Sequence, residues 1–94
     1  MKTIGLIGGL SWESSAEYYR LLNRAVRDRL GGLHAANIVL HSLDFAPIAA
    51  LQAEGDWPAL DRAMVEAAAA LERSGADLLL ICSNTMHRCA GAIE

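Results

Sequence analysis

The chain has 94 residues, of which 53% are hydrophobic and 20% are charged, and it carries a net charge of −3 at pH 7. This length allows one small domain, and the eight Lys and Arg residues are scattered, so no basic stripe for nucleic acid is predicted. The sequence lacks a run of about 18 uncharged apolar residues and lacks a signal-peptide pattern. We therefore expect a cytoplasmic protein without a nucleic acid or membrane partner.

Three short runs predict strands, of which the first is continuously apolar and is therefore predicted to be buried on both faces. The first covers residues 3–7 and ends at Gly8-Gly9, the second covers residues 37–43, and the third begins at Asp77. Continuous apolar runs of this length are typical of parallel sheets, whose two faces are both covered.

Helical patterns separate these runs. Ser14 and Glu17 form a capping-box pattern at the start of a helix that ends near Leu30. A short helix with Pro47 in its first turn follows the second strand, and Asp56 or Trp57 caps the next helix. The predicted apolar stripe of the first helix comprises Tyr18, Leu21, Leu22, Ala25, Val26 and Arg29, and that of the later helix Leu60, Ala63, Met64, Ala67 and Leu71.

The later helix is predicted to stop at Gly75, and a further helix to begin at His87. The predicted order is β-α-β-α-β-α, which indicates an α/β fold with a parallel sheet and right-handed connections. We place a single domain over residues 1–94, without an internal boundary. So small a parallel sheet leaves apolar edges, so we expect more chain or another subunit to complete it.

The loop Gly8-Gly9-Leu10-Ser11 leads from the first strand into a helix, whose free N–H groups suit a carboxylate or a phosphate. The glycines match neither the dinucleotide-binding pattern nor the P-loop. Nucleotide binding would also require the Asp44 carboxylate to bind a ribose. The presence of Asp44 is explained equally well by a role as a turn residue. The alternative is that the two glycines only make a tight turn.

Small polar residues follow the third strand. Ser83, Asn84 and Thr85 offer hydroxyls, a carboxamide and backbone N–H groups at a predicted helix start. Simple helix capping is the alternative, because these residue types are preferred N-caps. His87 either has a direct catalytic role or is an ordinary core or surface histidine. Cys89 is predicted to pack within the helix. The two cysteines, Cys82 and Cys89, predict free thiols and neither a disulfide framework nor a metal site.

Five segments match one family in a single register: GLIGGLSWES at 5–14, YY at 18–19, GDW at 55–57, GAD at 75–77 and SNTMH at 83–87. Through them the chain resembles the aspartate/glutamate/hydantoin racemase superfamily, and most closely its broad-specificity amino-acid racemase branch. The resemblance runs from Met1 to Glu94 and covers about the N-terminal half of a typical member. It implies one lobe of a two-lobed fold, an amino-acid substrate in the cleft between the lobes, no pyridoxal phosphate and a homodimer.

The resemblance also implies a role for each candidate residue. Many members have Cys immediately before Asn-Thr, where this chain has Ser83, so Ser83 takes the catalytic position. Strand alternation would point Cys82 to the opposite face, which leaves Cys82 and His87 as supporting residues. A serine hydroxyl is a weaker base than a thiol, so Ser83 is expected to relay a proton or to favour one direction. The substrate-binding residues implied are Gly9, Leu10, Ser11, Gln52, Asn84 and Thr85.

The other acid/base is expected to be a Cys in the second lobe, so this chain alone is expected to be inactive. A function of a different class is a non-enzymatic lobe that binds a small carboxylate.

Overall fold

The computed structural model describes residues 1–83 and Ile93. Within this part of the chain the elements are β1 (Thr3–Gly8), α1 (Trp12–Leu30), β2 (Asn37–Ser42), α2 (Phe45–Glu54), α3 (Trp57–Arg73) and β3 (Leu78–Ile81). The predicted α/β class is confirmed, with two consecutive helices between β2 and β3. The helix predicted from His87 lies outside the described residues. None of the helices described here has both the length and the apolar character needed to cross a bilayer.

The three strands form a parallel sheet in the order β2-β1-β3, which confirms the predicted sheet type. β1 lies in the centre, and its Ile7 pairs with His41 on one side and with Ile81 on the other. Thr3 and Asp77 join the other end of the sheet through two hydrogen bonds. The Thr3 N–H donates to Asp77 Oδ2 at 2.7 Å, and the Asp77 N–H donates to the Thr3 carbonyl at 2.8 Å.

The helices cover both faces of the sheet, as two glycines of β1 show. A Cβ placed on Gly5 would meet Leu71 of α3, and a Cβ placed on Gly8 would meet Ser15 of α1. Residues three apart on a strand point to opposite faces, so α1 and α3 lie on opposite sides of β1. This doubly wound arrangement is the one expected from right-handed crossovers.

The main core lies between the sheet and the helices α2 and α3. Its buried members come from all of these elements and from the loop after β1: Ile7, Leu10, Ile48, Leu60, Met64, Ala67, Ala68, Leu71 and Ile81. Four of the five residues predicted for the stripe of α3 are buried, and Ala63 is partly buried against them. The apolar periodicity of that helix therefore predicted its buried face correctly.

Two helix caps agree with the sequence. The Asp56 carboxylate accepts a hydrogen bond from the Ala59 N–H at 3.2 Å, and Pro58 lies in the first turn of α3. Asp44 caps α2 and accepts from the Ala46 N–H at 3.4 Å. α3 ends at Arg73, and Gly75, with φ of +92°, begins the turn toward β3.

The predicted start of α1 is wrong. Its N-cap is Ser11, three residues before the proposed capping box, and Glu17 instead forms an ion pair with Arg20. The predicted stripe is only partly covered, since Leu21 is 52% exposed and Ser15 is the buried residue of this helix. Tyr18, Leu22 and Val26 of the predicted stripe are half-buried, so the stripe predicted part of the covered face.

Candidate functional site

The described candidates in the loop after β1 and in the segment after β3 lie where these two strands end. The strand order β2-β1-β3 reverses at β1, and in doubly wound sheets of this order ligands bind in the crevice between the carboxyl ends of β1 and β3. The loop after β1 and the segment that begins at Cys82 lie on these two sides. The topology therefore predicts a ligand crevice between the two segments that contain the predicted site residues.

The Gly8-Gly9 turn is packed against the loop after β2. The Leu43 N–H donates to the Gly8 carbonyl at 2.8 Å. Gly9 has φ of +77°, and a Cβ there would lie 1.9 Å from the Leu43 carbonyl oxygen. Both the conformation and the lack of space require glycine at this position. The tight-turn interpretation of the two glycines therefore has a definite physical basis.

Ser15 fastens the same turn from the other side. Ser15 lies in the first turns of α1, and only 3% of its surface is exposed to solvent. The Ser15 hydroxyl oxygen accepts a hydrogen bond from the Gly9 N–H at 2.8 Å. The Gly9 amide, which the sequence offered as an anion donor, is thus already occupied by the protein.

Ser11 carries an unusual backbone conformation at the start of α1. Its φ is +93°, and among the described residues it is the one non-glycine residue with a positive φ. Its side chain makes no hydrogen bond that caps α1 within the described part of the chain. Non-glycine residues in this region are uncommon, and such strain is concentrated at functional sites. Ser11 is half-buried, so the loop presents this residue at the strand ends.

The segment after β3 continues the sheet by one hydrogen bond. The Cys82 N–H donates to the Ile7 carbonyl at 2.9 Å, and Ser83 follows with a half-buried side chain. Extending the register Ile7 to Ile81 by two residues brings Ser83 level with Gly9. Asn84, Thr85 and His87 lie outside the described residues, so their predicted roles stay predictions.

Cys82 lies in a very different environment from Ser83. The Cys82 side chain is fully buried, and this desolvation raises the pKa of its thiol to about 11. The thiol is therefore protonated at neutral pH and does not supply the thiolate that acts as a base. This distinguishes the two neighbouring candidates on physical grounds.

The two remaining candidates belong to α2. Asp44 caps this helix, which supports its interpretation as a turn residue rather than a ribose ligand. Gln52 lies in the last turn of α2 and is half-buried. It is eight residues beyond the cap, a distance of about 12 Å along the helix. The substrate-binding role of Gln52 stays a prediction.

A surface cavity of about 500 Å³ opens beside β2. It is lined by His41, Leu43, Asp44, Pro47, Ile48, Ala63, Glu66, Ala67, Ala70 and Arg73. The described lining contains two residues of the loop after β2, one of them Asp44, but none of the described residues predicted to act on or bind the amino-acid substrate. This cavity is therefore separate from the predicted site between β1 and β3.

Two residues that fix the site were missed by the sequence analysis. Leu43 acts through its backbone, which leaves no mark in the sequence. Ser15 offers a weak signal, because a small hydroxyl residue four positions after a helix cap points back toward the preceding turn. Only the fold shows that this hydroxyl reaches Gly9.

The comparisons with known proteins agree with this arrangement. The family model of Asp/Glu/hydantoin racemases matches residues 7–94. The chain is similar to the crystal structure of a candidate Asp/Glu racemase from Yersinia pestis, with 50% identity and a TM-score of 0.97 over 100% of this chain and 41% of that one. It is also similar to an aspartate racemase homologue from Pyrococcus horikoshii OT3, with 30% identity and a TM-score of 0.88 over 99% of this chain and 40% of that one.

The chain thus spans about two fifths of the length of both solved structures. The model match covers nearly all of its residues, including the loop after β1 and the segment after β3. The chain therefore belongs to the Asp/Glu/hydantoin racemase family.

Proposed function

We propose that this chain is the N-terminal lobe of a cofactor-independent amino-acid racemase that acts on aspartate, glutamate or related polar amino acids. The observation that carries the proposal is the position of Ser83 and the Gly8–Ser11 loop at the carboxyl ends of β3 and β1, in a chain of this family. The substrate class follows the names of the two similar structures.

Racemisation needs an acid/base on each side of the α-carbon. One group removes the α-proton, and another delivers a proton to the opposite face. In our proposal Ser83 is the group of this lobe, because it is half-buried at the crevice whereas the Cys82 thiol is buried and stays protonated. The second group is a cysteine outside this chain.

Removal of the α-proton places negative charge on the substrate carboxylate, which N–H and hydroxyl donors stabilise. We assign this task to the start of α1 and to Asn84 and Thr85, since helix N-termini attract anions. Gln52 is assigned to the pocket wall. The active protein is proposed to be a cytoplasmic homodimer.

The test uses a chimera in which this chain replaces the matching 41% of the Yersinia pestis protein. Exchange of the α-proton in deuterated water is followed by NMR for both enantiomers of aspartate and glutamate. We expect exchange by the chimera and none by the isolated chain. Ser83→Ala in the chimera should slow exchange roughly 100-fold or more in at least one direction.

Ser74→Ala is the matched control. Ser74 is an exposed serine that follows α3 and precedes β3, so it lies at the amino-terminal end of β3, away from the candidate site. This variant should leave exchange unchanged, and Ser83→Cys should retain exchange because a thiol also transfers protons. Full exchange of both enantiomers by Ser83→Ala contradicts the assignment of Ser83.

The second candidate function is a non-enzymatic lobe that binds a small carboxylate. The chemistry at the end of β3 favours keeping it, since the Cys82 thiol is buried and protonated and a serine hydroxyl is a weak base. A folded chimera that binds aspartate without α-proton exchange would support this alternative.

A further inference from the structure

We propose that Ser15 is a positioning residue that holds the β1–α1 loop in the conformation that receives the substrate. This inference deepens the proposed function and rests on it for the identity of the ligand. The structural basis is the buried hydrogen bond between the Ser15 hydroxyl oxygen and the Gly9 N–H at 2.8 Å.

Burial makes this hydrogen bond important. Ser15 is 3% exposed, and a buried polar group without a partner costs more free energy than a hydrogen bond gains at the surface. Alanine at position 15 would leave the Gly9 N–H without its acceptor. The loop would then have to move, or admit water, to satisfy that N–H.

The space around Ser15 shows that the two segments fit closely. A Cβ on Gly8 would lie 2.6 Å from the Ser15 hydroxyl oxygen and 3.1 Å from the Ser15 Cβ. On the opposite side, Gly9 is pressed against the Leu43 backbone. The turn is therefore held between the first turns of α1 and the loop after β2.

This arrangement decides which backbone donors a ligand can use. The Gly9 N–H is taken by Ser15, so the backbone donors left for a carboxylate begin after Gly9, in the rest of the loop and in the first residues of α1. Ser11 has φ of +93°, a conformation that persists only when its surroundings impose it. Ser15 is one of the groups that fix the turn directly before it.

The test measures amide hydrogen exchange by NMR on the 94-residue chain, and aspartate binding by NMR on the chimera with the Yersinia pestis protein. In Ser15→Ala we expect the Gly9 amide to exchange about tenfold faster, while the Leu6 amide in the centre of β1 changes much less. Aspartate affinity should fall in the same variant. Ser15→Thr keeps the hydroxyl acceptor and should restore both readouts.

Ser14→Ala is the matched control, because Ser14 is the exposed neighbour on the same helix. An unchanged Gly9 amide in Ser15→Ala overturns the inference, and so does an equal acceleration at Gly9 and Leu6, which would mean only a global loss of stability. A faster Gly9 amide with unchanged aspartate affinity also overturns it. If the unaltered chimera does not bind aspartate, the proposed substrate fails, and Gly9 exchange alone decides whether Ser15 holds the loop.

Discussion

Burial sets the chemistry of the two residues at the end of β3. Judged by side-chain type alone, the Cys82 thiol is the better acid/base and the Ser83 hydroxyl the poorer one. Desolvation raises the pKa of the Cys82 thiol to about 11, whereas Ser83 is half-buried at the crevice. The thiol of Cys82, which is the better acid/base by type, therefore lies in the environment that is less suited to proton transfer.

The raised pKa predicts slow alkylation of Cys82. In a Cys89→Ser variant, where Cys82 is the remaining cysteine, the folded chain should react with iodoacetamide more slowly than the urea-unfolded chain at pH 8. The folded pKa lies above the ordinary value of 9.0, so the unfolded state loses its proton first. The free energy of unfolding should consequently fall as the pH rises from 9 to about 11. Equal alkylation rates in the folded and unfolded chains would contradict this.

Two glycines with similar backbone angles should respond differently to alanine. Gly55, with φ of +69°, has open space where a Cβ would be placed, so Gly55→Ala should cost about 1 kcal/mol. Gly9→Ala meets the Leu43 backbone as well and should cost about 1 to 3 kcal/mol more. Urea unfolding monitored by circular dichroism measures both free energies. Similar losses of unfolding free energy in the two variants would mean that the β1–α1 loop and the loop after β2 move apart at little cost.

At the scale of elements, the apolar patterns predicted most of the described fold. β1, β2, α3 and β3 occur close to their predicted positions, because each is an apolar run or stripe bounded by turn residues. The covered face of α1 was predicted only in part, since Tyr18, Leu22 and Val26 of the predicted stripe are half-buried whereas Leu21 is exposed. Periodicity identifies a helix well, but it identifies the buried face only where a single stripe is present.

The candidate site was predictable in part. Parallel strands have their carboxyl ends at the same end of the sheet, so the order of the elements in the sequence alone placed the Gly8–Ser11 loop and Ser83 at that end. The order β2-β1-β3, which makes β1 and β3 neighbours, could not be read from local patterns. The contacts of Ser15 and Leu43 with the turn depend on the same long-range pairing.

The two aspartate caps predict a graded loss of helix stability. Asp56→Ala should lower the free energy of unfolding by about 1 kcal/mol, because it removes the acceptor of the Ala59 N–H. Asp44→Ala should cost less, since its hydrogen bond to the Ala46 N–H is longer at 3.4 Å. Thermal unfolding of the two variants in parallel measures the difference. A larger loss for Asp44→Ala would contradict the geometry.

At the scale of the whole molecule, apolar side chains remain exposed on the sheet. Leu40 of β2 is 43% exposed and Leu78 of β3 is 44% exposed. Within the described residues, β3 pairs with β1 on one side only. Unpaired apolar edges favour association between chains, and lysine is a residue that natural edge strands use against it.

Leu78→Lys should therefore reduce concentration-dependent self-association of the chain, as measured by analytical ultracentrifugation. Leu33→Lys is the matched control, because Leu33 is fully exposed in the loop between α1 and β2 and the same charge is added there. We expect little change from the control. An equal reduction in both variants would assign the effect to net charge rather than to the strand edge.

The hydrogen bonds between Thr3 and Asp77 join residues that are 74 positions apart, and they belong to the pairing of the first strand with the last. During synthesis β1 is made before β2, and β3, its other neighbour, is made only after α1, α2 and α3. Closing so long a loop is entropically unfavourable until the late contacts form, and folding slows as such distant contacts dominate. The apolar β1 therefore stays incompletely paired while the chain grows, so the nascent protein depends on α1 and β2 to shield it until β3 emerges.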